Sequence, residues 1–219
     1  MKRYTKGILS ILFVYSIWGI QPLYWKLFKD ISLQEILAYR ILWSTIFLIL
    51  IIACKNRLKD IFEILKNKKV FFLISICALL ISMNWVLNIY AAYTNQIVEA
   101  SLGHYITPLV VIFLGVFLLK ESIEKFELIA IFIAFTAVIN LTIKVGKLPI
   151  IAILLIGSFA TYTYLKKILN IDSLISITIE LLILSPFAII FLLKSNLFNI
   201  NTIINFGLSK NILIASTGL

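Results

Sequence analysis

The chain has 219 residues, of which 62% are hydrophobic and 14% are charged, whereas a soluble globular domain is about 45–50% apolar and 25% charged. This composition excludes a separate soluble domain and predicts an all-α integral membrane protein that crosses the bilayer several times. The net charge of +10 would suggest a nucleic-acid partner in a soluble protein. In a membrane protein the basic residues of the loops act as topology signals, so we expect membrane lipid and no nucleic acid as partners.

Seven apolar runs are long enough to cross a bilayer, which takes about 20 residues of helix. The runs cover residues 7–27, 33–53, 70–90, 97–121, 126–143, 148–165 and 174–193. The first residues are basic, but an aromatic, polar segment follows them without a small-residue cleavage motif. This pattern predicts a retained first span rather than a cleaved signal peptide. After a polar connector from Lys194 to Lys210, an eighth run opens at Asn211 and stops at Leu219, so we expect the chain to end inside a helix.

The loops indicate how the spans are oriented. Lys and Arg are concentrated at the N-terminus, in the connector from Lys55 to Lys69, and in the turns after the fourth and sixth spans. Because positively charged loops stay in the cytoplasm, we expect a multi-pass protein of the inner (plasma) membrane with a cytoplasmic N-terminus. The apolar residues of the Lys55–Lys69 connector also predict a short helix at the membrane interface.

The fourth span carries most of the chemistry of the chain. Its first half contains polar, ionisable or helix-interrupting residues, namely Glu99, Ser101, His104, Tyr105, Thr107 and Pro108. Such side chains are costly inside a bilayer and tend to mark a pathway or a binding site. Its second half is apolar, and Gly115 there would allow close approach of another helix.

Other spans contribute further candidates for a cavity. The first span ends in an aromatic, polar cluster with Trp18, Gly19, Gln21 and Pro22, whereas Trp25 fits an interfacial aromatic belt. In the third span, Asn84 and Asn88 are four residues apart and share a helix face. The substrate-binding candidates are Trp18, Gln21, Arg40, Asn84, Trp85, Glu99, His104, Tyr105 and Tyr162.

Three ionisable residues inside the spans have alternative interpretations. Arg40 lies about 10 Å deep and either pairs with Glu99 to cap an outward-facing cavity or snorkels to the interface as a structural charge. Glu180 is the first candidate for proton coupling and His104 the second, since a carboxylate or an imidazole can carry a proton. The alternatives are a carboxylate paired within the bundle and a hydrogen-bonded structural histidine.

The two halves of the chain show a weak internal repeat. Residues 10–26 align with residues 152–168, and residues 31–45 align with residues 171–185. The copies are offset by five spans, so they enter the membrane from opposite sides. Inverted repeats of this kind are a common plan in secondary transporters, with the substrate near the midplane where the halves meet.

These residues carry a resemblance to a known family. The matching pieces are Tyr15-Ser-Ile-Trp18-Gly19 with Pro22, Glu35-Ile-Leu with Arg40, Asn84-Trp85, Glu99-Ala-Ser-Leu-Gly103 with Pro108-Leu109, and Ile179-Glu180. In them the chain resembles the RarD-type permeases of the EamA branch of the drug/metabolite transporter superfamily. The resemblance implies a bundle of two inverted five-helix repeats that exports small drugs or metabolites. Residues 1–143 would be the first EamA repeat and residues 148–219 a partial, truncated second repeat.

The function predicted from the sequence is therefore secondary transport by alternating access, without a cofactor. A membrane enzyme acting on lipid-linked substrates is a less favoured alternative, because the sequence shows no metal cluster, nucleophile–base arrangement or phosphate loop. A truncated, non-transporting scaffold is the other alternative, supported by the abrupt end at Leu219. The expected ligand is a small molecule, and a homodimer is one candidate assembly.

Overall fold

The computed structural model describes residues 2–120, 125–145, 149–195 and 207–218. These residues form helices joined by short turns, with no β-strand among them, which confirms the predicted all-α fold. The helices are α1 (Lys2–Lys26), α2 (Leu33–Cys54), α3 (Leu58–Lys66), α4 (Lys68–Tyr93), α5 (Ile97–Leu119), α6 (Lys125–Val145), α7 (Ile150–Leu169), α8 (Ser173–Lys194) and α9 (Gly207–Ser216).

Six helices of the described part are long and apolar enough to cross a membrane. They are α1, α2, α4, α5, α7 and α8, and they match six of the seven predicted spans. The remaining predicted span, 126–143, lies in α6, which is not among the six, so its passage through a membrane stays a prediction. Most of the predicted connector from Lys194 to Lys210 lies outside the described residues. Helix α9 begins at Gly207, before the predicted start at Asn211, because Leu208 and Lys210 are good helix formers and Ser209 costs no more than about 0.7 kcal/mol inside a helix.

Local sequence signals account for several helix ends. Ser32 and Glu35 form a reciprocal capping box at the start of α2. Lys120 and Asn170 adopt the left-handed conformation at the ends of α5 and α7, which lets the chain turn away from the helix axis. The short helix predicted in the Lys55–Lys69 connector is present as α3, which buries Ile61 and exposes Phe62.

The bundle is held together mainly by helix pairs that are distant in sequence. The most extensive packing joins α5 to α7, α2 to α8 and α4 to α7, while α1 packs on α4. The close approach of α5 and α7 is made at Gly103, where an added Cβ would lie 3.2 Å from the Cα of Ala152. This is the small-residue packing expected for helices in a bilayer. It occurs at Gly103 in the first half of α5, whereas the sequence predicts it at Gly115 in the second half.

Asp172 connects the N-terminus of α8 to the connector before α3. Its carboxylate accepts hydrogen bonds from the backbone N–H groups of Leu174 and Ile175 and pairs with Arg57 at 3.3 Å. The Ile175 N–H, followed by the Arg57 guanidinium, lowers the pKa of Asp172 below its ordinary value of 3.8. The ionised carboxylate therefore stabilises the folded state above pH 3.8, and this stabilisation is lost as the pH falls through the lowered pKa.

We expect Asp172→Ala to lower the melting temperature at pH 7, because it removes both the N-cap and the Arg57 partner. The difference from the unsubstituted protein should shrink once the pH falls below 3.8, because the protonated carboxyl loses its ion pair with Arg57 and keeps only a neutral capping oxygen. Thermal melting in detergent between pH 3 and pH 7 measures this difference. Asp172→Asn is the control, since it keeps a capping oxygen without a titrating group; equal melting of Asp172→Ala and the unsubstituted protein at pH 7 would contradict the role of the cap.

Candidate functional site

A cavity of about 430 Å³ lies between α1, α4, α5 and α7. This volume falls within the range of roughly 300–1,000 Å³ that is usual for small-molecule sites. Aromatic rings form much of its wall, and its polar groups come from α4 and α5. The residues that matter for its chemistry are Tyr15, Trp18, Pro22, Asn88, His104, Tyr105, Pro108 and Phe159.

Trp18 lies at the centre of the aromatic wall. Its ring centroid is 5.7 Å from that of Tyr15, and it is 6.4 Å from the rings of both His104 and Phe159. The Trp18 and Tyr105 side chains are 43% and 71% exposed, so the aromatic surface is open to a molecule that enters the cavity. Exposed rings of this kind can bind a flat apolar group or a cation.

The polar side of the cavity is a chain of hydrogen bonds between helices. His104 Nε2 lies 2.9 Å from Asn88 Oδ1, and Asn88 Nδ2 donates to the backbone and side-chain oxygens of Asn84. Asn84 in turn donates to Ser158 Oγ at 3.1 Å. Since Asn88 uses its amide nitrogen toward Asn84, its oxygen accepts from His104, which places a proton on Nε2. The imidazole of His104 is thus held in one orientation at the cavity wall.

Two prolines bring backbone acceptors to the same wall. Pro22 and Pro108 line the cavity, and neither has an N–H to donate to the residue four positions before it. The carbonyl groups of Trp18 and His104 therefore lose their usual helical donors. The prediction that Pro108 interrupts its helix is wrong, because α5 continues from Ile97 to Leu119; membrane helices tolerate such a proline where its neighbours satisfy the backbone.

The structure brings together only part of the predicted cavity set. Trp18, His104 and Tyr105 line the cavity, and Asn84 is joined to it through Asn88. Gln21 and Glu99 are off the cavity faces of α1 and α5, which repeat every three or four residues, and Arg40 is on α2, which does not line the cavity. The residues outside the cavity are Gln21, Arg40, Trp85, Glu99 and Tyr162.

Arg40 does not form the predicted ion pair with Glu99. Its guanidinium carbon instead lies 4.4 Å from the ring centroid of Trp85 and 5.2 Å from that of Trp25. Trp25 is not in an exposed belt as predicted but is 2% exposed, packed with Phe28 in a core cluster. A cation–π contact contributes about 0.5–2 kcal/mol, which is less than the roughly 2.5–3.5 kcal/mol cost of an arginine inside a span.

Glu180 and Tyr162 meet in a second polar cluster, outside the cavity. Glu180 is fully buried, and its Oε1 accepts from Lys166 Nζ at 2.9 Å and from Ser176 Oγ at 3.0 Å. The Tyr162 hydroxyl donates to Oε2 at 3.1 Å. This arrangement matches the alternative interpretation of Glu180 as a paired carboxylate that joins α7 to α8.

Comparison with known proteins agrees with this architecture. Residues 5–143 match the EamA-like transporter family. The chain is 36% identical over 191 residues to "Protein RarD" of Salmonella typhi, an alignment that covers 87% of this chain and 65% of that protein. It is 37% identical over 213 residues to "Protein RarD" of Streptomyces exfoliatus, covering 97% of this chain and 68% of that protein.

The chain belongs to the EamA-like transporter family. A third relative of this EamA-family chain is the "Uncharacterized transporter YojE" of Bacillus subtilis, at 36% identity over 194 residues, covering 87% of this chain and 65% of the relative. The chain thus spans about two thirds of the length of the curated relatives it matches. No solved structure matches it.

Four side chains of the cavity and of the Glu180 cluster are not predicted from the sequence, namely Tyr15, Asn88, Phe159 and Lys166. Tyr15 enters only through the family resemblance, and Asn88 shares a face with Asn84 without being among the predicted cavity residues. Lys166, which lies beyond the EamA match, is predicted only as a topology signal. The spacing gives only a weak signal for Lys166, since it lies three residues before the end of α7 and Glu180 seven residues after the start of α8, a difference that the long lysine side chain spans. Phe159 carries no such signal in the sequence.

Proposed function

We propose that this chain forms the substrate-binding part of a secondary transporter that exports a small drug or metabolite by alternating access. The observation that supports this function best is the 430 Å³ cavity, which lies among four helices that are long and apolar enough to span a membrane. The proposal places the protein in the inner (plasma) membrane with its N-terminus in the cytoplasm.

The composition of the cavity favours a small aromatic or cationic solute. Trp18, Tyr105 and Phe159 offer ring faces to such a group. The side chains of Asn88 and His104, and the backbone carbonyl groups of Trp18 and His104, offer hydrogen-bond partners for the polar end of the solute. A pocket with large apolar walls and a few convergent polar groups is the usual form of a small-molecule site.

The position of the cavity also fits alternating access. In the proposed division into repeats, α1, α4 and α5 belong to the first repeat, whereas α7, with Phe159, belongs to the second. Substrate sites in transporters with inverted repeats lie where the two repeats meet, and rocking of one repeat against the other exposes them to each side in turn. Of the two candidate proton carriers, His104 lies at the cavity wall, so we assign proton coupling to His104 first and to Glu180 second.

Replacement of Trp18 provides the test of the substrate site. We expect Trp18→Ala to raise the KM for transport about tenfold, because it removes the ring that joins Tyr15, His104 and Phe159. The measurement is flux of radiolabelled aromatic amines and neutral aromatic drugs into proteoliposomes, with unlabelled competitor. Trp43→Ala is the matched control, since Trp43 lies on α2, outside the cavity, and stacks on Phe47. Flux that is neither saturable nor competed by any compound of the panel would refute the transport proposal.

A further inference from the structure

Among the residues that the structure describes, Arg40 is a cation without an ion-pair partner. The ion pairs of the described ranges join Arg57 to Asp60 and Asp172, and Lys166 to Glu180, and none of them involves Arg40. Nor does its guanidinium take part in a side-chain hydrogen bond within those ranges. Two indole rings flank its carbon atom, at 4.4 Å for Trp85 and 5.2 Å for Trp25. The positive charge is thus held in a fixed place but not neutralised.

A second donor beside Arg40 is also unmatched. The indole nitrogen of Trp25 is buried and has no hydrogen-bond partner within the described residues; it is the single buried side-chain nitrogen or oxygen of that part of the chain in this condition. Buried polar groups of folded proteins nearly always have a partner. Arg40 and Trp25 therefore present N–H donors and a positive charge at one place, and both lack an acceptor.

Two carboxylates of the described part of the chain have partners of their own. Glu35 caps the start of α2 by accepting from the Ser32 N–H at 3.1 Å. Glu180 is occupied by three donors in the other polar cluster. Neither of these carboxylates pairs with Arg40, and no described residue accepts a hydrogen bond from the Trp25 indole nitrogen.

We propose that Arg40, Trp25 and Trp85 form a binding site for an oxyanion, either a carboxylate or a phosphate group, separate from the aromatic cavity. Stacking of a guanidinium on an indole covers its flat face and leaves its N–H edge free, and that edge matches two oxygens of a carboxylate or a phosphate. The Trp25 N–H supplies a further donor. Trp85 lies three residues before Asn88, so the anion site and the cavity lie about one turn apart along the same side of α4.

The depth of the site admits two sources of the anion. Arg40 is the eighth residue of α2, which places it about 10 Å along the helix, and Trp25 is next to the last residue of α1. A lipid phosphate at the surface of the bilayer and a carboxylate of a soluble molecule can both reach this level. Binding of either anion is measured without transport, so the result tests this site separately from the transport proposal.

The test is equilibrium binding of radiolabelled benzoate to the protein in phosphatidylcholine nanodiscs at pH 7, with radiolabelled benzamide as the uncharged analogue. We expect benzoate to show a saturable binding site that benzamide, which can enter only the aromatic cavity, does not occupy. Arg40→Gln should abolish it, and Trp25→Phe, which keeps a ring but removes the N–H, should raise the Kd about tenfold. The matched controls Arg57→Gln and Trp43→Phe should bind benzoate like the unsubstituted protein.

Nanodiscs that contain phosphatidylglycerol distinguish the two sources. If the anion is a lipid phosphate, phosphatidylglycerol lowers benzoate binding and is retained by the protein, but not by Arg40→Gln, in native mass spectrometry. If the anion is soluble, phosphatidylglycerol leaves benzoate binding unchanged. Equal binding of benzoate and benzamide, or undiminished binding of benzoate and phosphatidylglycerol by Arg40→Gln, would overturn the site. If Arg40→Gln does not fold, the proposed site is still tested by the comparison of benzoate with benzamide and by the Trp25→Phe variant.

Discussion

Glu180→Gln should lower the free energy of unfolding by about 3 kcal/mol, the lower end of the range for removal of one partner of a buried ion pair. The lower end applies because Lys166 retains 17% exposure while Glu180 has none. The substitution leaves the ammonium group of Lys166 without its anion inside the bundle. It also weakens the hydrogen bonds from Ser176 and Tyr162, which now meet a neutral amide rather than a carboxylate.

Reversible unfolding in mixed detergent micelles, followed by tryptophan emission, measures this effect. Glu99→Gln is the matched control: Glu99 forms no ion pair within the described residues, so its loss should change the free energy of unfolding by no more than about 0.5 kcal/mol.

Removing both charges should recover much of the lost stability. We expect the double variant Lys166→Met with Glu180→Met to be more stable than Glu180→Gln, because a buried ion pair replaced by apolar groups is often nearly neutral. A double-mutant cycle then gives the coupling between the two side chains, expected in the range of about 0.5–3 kcal/mol. A cycle that closes with no coupling would show that the two charges act independently.

The same cluster bears on the mechanism of transport. A proton that neutralised Glu180 would remove the partner of Lys166, so proton uptake there would loosen the contact between α7 and α8. His104 has no such constraint, since its partner Asn88 is neutral. If protons drive the proposed transport, we expect His104→Gln to alter the pH profile of the transport rate. We expect Glu180→Gln instead to lower the amount of folded protein.

The sequence predicted the helices well because length and hydropathy alone define a span. It predicted part of the cavity, since Trp18, His104 and Tyr105 are polar or aromatic residues in otherwise apolar helices. It failed for pairs that depend on how helices face one another. The sequence predicts Glu99 to be shallower than Arg40 but within reach of its long side chain, and depth does not set the rotation of α2 and α5 about their axes. Phe159 was missed because an aromatic residue in an apolar span is ordinarily packing.

Gly103→Val should destabilise the bundle by about 2–3 kcal/mol, the upper part of the usual cost of overpacking. An added Cβ would lie 3.1 Å from the Cβ of Leu155 and 3.2 Å from the Cα of Ala152. The second contact is with backbone, so a change of rotamer cannot relieve it and α5 has to move away from α7. The two branches of valine extend the clash beyond that first atom.

Displacement of α5 at Gly103 should also disturb the cavity, because His104 is the next residue and Phe159 lies on α7. We therefore expect Gly103→Val to weaken ligand binding in the cavity as well as stability, with both measured on the same preparation by thermal melting with and without ligand. Gly157→Val is the matched control on α7, since an added Cβ there meets nothing within 4 Å, and it should change stability by no more than about 0.5 kcal/mol. Equal effects of the two substitutions would mean that intrinsic helix preference, rather than the contact between α5 and α7, sets the cost.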